Sequence, residues 1–232
     1  MTKNNFLSIS LTPRQTLWGL RYLLFQTIFL SSVLHLATSL LPFTLGAAQL
    51  NFLYFAINFV AVIVIFRNFL LQFLQLDWDG IGAIALWGVV FFGAYWLSTA
   101  FLSHVFSIID PKFFNANDRT IAGMTEENYP LMFIGTVVLV PITEECLYRG
   151  LVFRGLYQRS AVLAWIVCPV VFSLVHIVSY LGQVNALTFA LCFLQYIPAG
   201  LCLAAAYRLS GSLICPILIH AVINAMGMIA LR

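Results

Sequence analysis

Two adjacent carboxylates, Glu144 and Glu145, follow a ten-residue run, 131–140, that carries no charge, and Arg149 stands four residues after the second. Further on, Phe172 and His176 share the same spacing, and His220 and Asn224 repeat it. On a helix, residues four apart lie on one face. Carboxylate, imidazole and amide groups can together activate a water and hold the negative charge that develops as a carbonyl is attacked. An acidic side chain at membrane depth costs about 2.5–3.5 kcal/mol, and two cost roughly twice that. Packing gives no reason to accept such a penalty.

Each pair taken alone has a structural reading. His176 can be an interhelical hydrogen-bonded residue, His220 with Asn224 can join helices, and Glu145 with Arg149 can be a buried ion pair. Thr143-Glu144-Glu145 could also mark a helix start, but a capping box wants Glu or Gln at position 146, where Cys146 stands. The similar Thr125-Glu126-Glu127 has no arginine four residues on and lies in a polar segment, so it reads as a solvated helix start. His35 and His104 have no polar partner nearby in sequence and read as structural. The coincidence of two carboxylates, an arginine, two histidines and an asparagine at membrane depth makes a functional placement the default.

The elements that must position these residues are membrane spans. Hydrophobic residues make up 62% of the 232 and charged residues 8%, far below the roughly 25% charged of a soluble domain. The expected fold is all-α and polytopic, with about seven spans and a range of six to eight at ~20 residues each. They are expected at 17–41, 50–66, 81–107, 130–158, 161–181, 186–208 and 212–231. The second is short and Arg67 follows it, so Asn68 to Leu76 is expected to continue as an interfacial helix. One long polar connection, Asp110 to Tyr129, holds Asp110, Lys112, Asp118, Arg119, Glu126 and Glu127. Residues 1–232 read as one membrane-embedded domain, with 129–232 as a core carrying the three motifs. The first span is too long for a cleavable signal peptide and reads as uncleaved. The five cysteines fall in apolar runs and read as buried small hydrophobes. With the N-terminus inside, the cytoplasmic segments carry Lys3, Arg14, Arg21, Arg67, Arg149, Arg154, Arg159 and Arg208, against Lys112, Arg119 and Arg232 outside. The net charge of +3 is spread over segment ends and gives no nucleic-acid signal.

A register argument links the motifs. If the fourth and fifth spans form a hairpin turning near Ser160, Glu144 and His176 lie level, each ~24 Å from the turn at 1.5 Å per residue. His220 lies ~14 Å from its own turn near Gly211. The groups meet if the hairpin tip with Arg149, Arg154 and Arg159 protrudes ~10 Å further, provided Gly150 and Gly155 do not break the helix. Pro141, Pro169 and Pro216 each precede a motif and would distort the spans locally.

At these residues the chain resembles the CAAX protease and bacteriocin-processing (CPBP, Abi-like) family of intramembrane proteases, which includes the type II CAAX prenyl proteases. The family pattern of EExxxR, FxxxH and HxxxN stands here as Glu144-Glu145-Cys146-Leu147-Tyr148-Arg149, Phe172-Ser173-Leu174-Val175-His176 and His220-Ala221-Val222-Ile223-Asn224. The resemblance covers the last hundred residues or so and says nothing of residues 1–128. It implies an intramembrane endopeptidase with a catalytic cavity facing the cytoplasm. In it Glu144 and His176 activate a water, His220 and Asn224 stabilise the oxyanion, and Glu145, Arg149 and Phe172 support the site.

The family has been described both as metal-independent glutamate proteases and as metalloproteases. The metal-free form is favoured here because it gives Asn224 a task. The alternative is a divalent metal, Zn²⁺, on Glu144, His176 and His220. The expected setting is a bacterial cell membrane, with a lipid bilayer around the chain and a peptide or protein substrate, membrane-associated or lipidated. A non-catalytic immunity or scaffold protein of the same fold is the competing reading. A transporter would predict inverted repeats, and the sequence has none.

Overall fold

The computed structural model describes residues 10–74 and 78–232, and Lys3, Leu76 and the residues beside them lie outside the described set. Among the described residues eight helices follow one another: α1 Pro13–Ser39, α2 Ala47–Phe73, α3 Trp78–Ile109, α4 Ala116–Glu127, α5 Tyr129–Tyr157, α6 Ala161–Ile177, α7 Ala186–Ser210 and α8 Ile214–Ala230. Among the described residues there is no strand. Six of the helices are long and apolar enough to cross a membrane, α6 with a 3₁₀ turn that carries it to Tyr180, and α8 is a shorter apolar helix. The protein is an all-α, multi-pass membrane protein.

The ends of the helices follow local chemistry. Thr12 and Gln15 form a capping box ahead of Pro13, and Asn115, Asn128, Ser160 and Asn185 cap α4, α5, α6 and α7 with side-chain oxygens. Gly211 ends α7 with φ at +72°, the left-handed conformation that favours glycine. Large apolar side chains such as Val64, Val89 and Leu97 point outward, the surface that lipid covers.

Two expectations are corrected. The second span is not a short helix with an interfacial sequel: α2 runs unbroken past Arg67 to Phe73. Phe66, Phe69 and Phe73 are buried at helical spacing and hold that end on the core, while the Arg67 side chain stays exposed. Thr125-Glu126-Glu127 is not a helix start but the last turn of α4, because Asn115 caps that helix ten residues before Thr125. Thr125 is buried there, and Glu127 Oε2 accepts from the Ala48 N–H at 3.1 Å, which caps the start of α2.

The site-bearing helices form the most buried part of the molecule. Helix α7 packs between α6 and α3, and α8 rests on α7, α3 and α5. Gly200 makes the α6–α7 approach possible, since a Cβ there would stand 2.7 Å from Pro169 Cα. The α5 helix carries two π-helical stretches, Gly135–Leu139 and Glu145–Phe153, on either side of a short α segment that contains Pro141. Helix α1 has a third at Gln26–Leu30. Such wide turns often occur at functional sites because they re-aim side chains. Gly150 and Gly155 do not break α5, and the five cysteines are free.

Candidate active site

The three motifs converge on one cavity of about 670 Å³. Glu144, Phe172, His176, His220 and Asn224 line it, together with Tyr148, Thr136 and Tyr196. The hairpin register expected from the sequence is the one observed: Ser160 caps α6, and Glu144 Oε2 faces His176 Nε2 at 3.6 Å.

His176 has a defined tautomer. Its Nδ1 lies 2.7 Å from the carbonyl oxygen of Phe172, and because a carbonyl only accepts, Nδ1 carries the proton. Nε2 then offers its lone pair toward Glu144. The separation of 3.6 Å exceeds a direct hydrogen bond, and Glu144 Oε2 is buried without a hydrogen-bond partner among the described residues. Two acceptors thus face each other across a gap that one water can bridge.

The neighbouring carboxylate points elsewhere. Glu145 is fully buried, and its Oε1 accepts from Arg149 Nη1 at 2.9 Å and from His220 Nδ1 at 2.8 Å. The i,i+4 pair forms within the π-helical stretch that begins at Glu145. Arg149 Nη2 donates to the Ala199 carbonyl at 3.2 Å, and the guanidinium lies 4.3 Å over the Phe172 ring. One arginine therefore ties the first motif to the second and to α7. The Glu145 carboxylate opposite His220 leaves the other ring nitrogen, Nε2, for the cavity. Asn224 Nδ2 donates to the Thr136 carbonyl in the π-helical part of α5 at 2.7 Å, which fixes the amide plane and leaves its second N–H unassigned.

Among the described residues, no group of three or more His, Cys, Asp or Glu side chains stands together so as to hold a metal ion. Glu144, His176 and His220 line the same cavity, and His220 gives Nδ1 to Glu145.

The sequence reading named every motif side chain at the cavity but missed the wall that other helices supply. Gln26, Asn51, Tyr54 and Asn58 from α1 and α2, and Asn117 and Asp118 from α4, also line it. Tyr54 donates to the Gln26 carbonyl at 3.3 Å, and Tyr22 donates to Asn58 Oδ1 at 2.7 Å. A signal was present: Asn51, Tyr54 and Asn58 fall at i, i+3 and i+7, a polar face inside a span. His35 and His104 are exposed and lie away from the cavity lining.

Residues 126–226 match the family model described as Rce1-like, type II CAAX prenyl endopeptidase, and all three motifs lie inside that stretch. No curated protein and no solved structure matches the chain. Residues 126–226, set in a bundle of membrane-spanning helices, thus form an Rce1-like domain similar to the type II CAAX prenyl endopeptidases.

Proposed function

We propose that the protein is an intramembrane endopeptidase of the glutamate type, with residues 129–232 as its catalytic core within one membrane-embedded domain. The observation that carries this reading is the facing pair of acceptors, Glu144 Oε2 and His176 Nε2, 3.6 Å apart. A water between them donates one hydrogen to each, which turns an oxygen lone pair toward the cavity. As that oxygen bonds to the peptide carbonyl carbon, its proton passes to the Glu144–His176 pair. The carbonyl oxygen becomes an oxyanion, which the free Asn224 N–H and His220 Nε2–H stabilise. His220 donates from Nε2 as an imidazolium, whose charge Glu145 balances. The abstracted proton then moves to the departing nitrogen, and the C–N bond breaks.

Glu145 and Arg149 hold His220 in place, and the guanidinium over Phe172 steadies the helix that carries His176. The substrate is an extended segment of a peptide or membrane-associated protein, admitted to a cavity lined by carboxamides and hydroxyls. The setting is a bacterial cell membrane with the N-terminus in the cytoplasm, supported by the excess of arginine on segments assigned inside. Replacing Glu144 with Gln keeps the shape and removes the base. Cleavage should disappear while membrane insertion and melting stay as in wild type. A Glu144→Gln protein that still cleaves would sink the assignment.

A further inference from the structure

We infer that Tyr196 is a positioning residue for His176, held by the first turn of α4, a helix outside the membrane spans. The role rests on the functional reading of His176 above, whereas the geometry stands by itself. Two aromatic rings contact the His176 ring. Phe172 lies tilted against it with centroids 4.5 Å apart and planes at 49°, and Tyr196 stacks with centroids 4.5 Å apart and planes at 28°. The Nδ1 hydrogen bond to Phe172 restrains the ring from its own helix. Tyr196, on α7, supplies the restraint from outside.

Tyr196 is in turn fixed at its outer end. Asn117 Nδ2 donates to the Tyr196 hydroxyl at 2.9 Å, and that hydroxyl points its own proton at Asp118 Oδ1, 3.4 Å away. The same turn is fastened at two further points: Asn115 Nδ2 donates to Gln195 Oε1 at 3.1 Å, and Tyr180 donates to Thr120 Oγ1 at 2.9 Å. A polar segment that carries none of the three motifs thus grips α7 and the end of α6 beside the facing acceptors. Rotation of the His176 ring would swing Nε2 away from Glu144, and the Tyr196 stack opposes that rotation. Asn117 prevents the tyrosine from sliding out.

The chain has four histidines, so its imidazole resonances are resolvable with histidine-labelled full-length protein in detergent micelles, His176 being assigned with His176→Gln. In Tyr196→Leu the His176 Hε1 resonance should move downfield as the shielding of the stacked ring is lost, with the other three unmoved. Turnover of a quenched fluorescent peptide spanning a Glu144-dependent cleavage site should fall about 10²-fold in kcat with KM unchanged, the scale expected for a displaced catalytic group. Tyr196→Phe removes both hydrogen bonds of the hydroxyl and Asn117→Ala one of them, so each should lower kcat less, and the double variant should be no worse than Tyr196→Phe alone. An unmoved resonance with unchanged kcat in Tyr196→Leu would overturn the inference. If that variant does not fold, additive losses in the Phe/Ala pair, or no loss in either, would overturn it instead. Absence of any Glu144-dependent cleavage would defeat the functional reading, and the resonance shift would still decide the stack.

Discussion

Glu145 and His220, seventy-five positions apart in the chain, meet at 2.8 Å through a carboxylate oxygen that Arg149 also holds. The carboxylate next to it, Glu144, is free of that network and faces His176 instead. Two adjacent glutamates thus serve two different partners, since neighbouring residues on a helix point in different directions.

Removing Arg149 should destabilise the protein as well as silence it. Glu145 and Arg149 are both fully buried, and stripping one partner from such a pair costs about 3–5 kcal/mol. Arg149→Ala should unfold in detergent at clearly lower temperature or denaturant than wild type. Arg149→Lys should recover only part of the loss, since a lysine cannot reach Glu145 and the Ala199 carbonyl with separate planar donors. A wild-type melting curve for Arg149→Ala would contradict the pairing.

Asn224 should matter to rate rather than to folding. Its loss removes one donor of the proposed oxyanion site, worth about 10²–10³ in kcat. Asn224→Ala should show that loss with melting close to wild type, and Asn224→Asp should be equally impaired because a carboxylate offers no N–H. Retained kcat in both variants would remove Asn224 from the mechanism.

The close approach of α6 and α7 predicts a steric penalty far smaller in atoms than in effect. Gly200→Ala places a Cβ 2.7 Å from Pro169 Cα, against backbone that cannot step aside. The cost should be about 1–3 kcal/mol, read as a lower unfolding midpoint. Because α6 carries His176, activity should fall with it. An unchanged midpoint would mean that the two helices do not pack as described.

Much of the candidate site was legible because spacing along a helix is a local property. Glu145 with Arg149 follows from the i,i+4 rule, and Glu144 opposite His176 follows from counting residues back from the turn at Ser160. The partner of His220 was not legible. It depends on how α8 rotates against α5 and on a π-helical stretch that leaves no mark in residue type. Tyr196 and Asn117 were equally hidden, since they reach His176 only after α4 folds back on α6 and α7. Arg67 misled the reading of α2 because a charge suggests a span end, whereas the buried phenylalanines around it carry the helix on. Thr125 misled in the opposite way, a capping residue type placed at a helix end and buried.

The proposed role of Glu144 is to activate a water for peptide hydrolysis. It is tested most directly by comparing new peptide N-termini in host membranes that carry either the wild-type protein or Glu144→Gln, at equal expression. A set of termini present only with wild type is expected, and it would also name the substrate. Identical sets under several growth conditions would contradict it and leave a non-catalytic partner-binding role for the same fold.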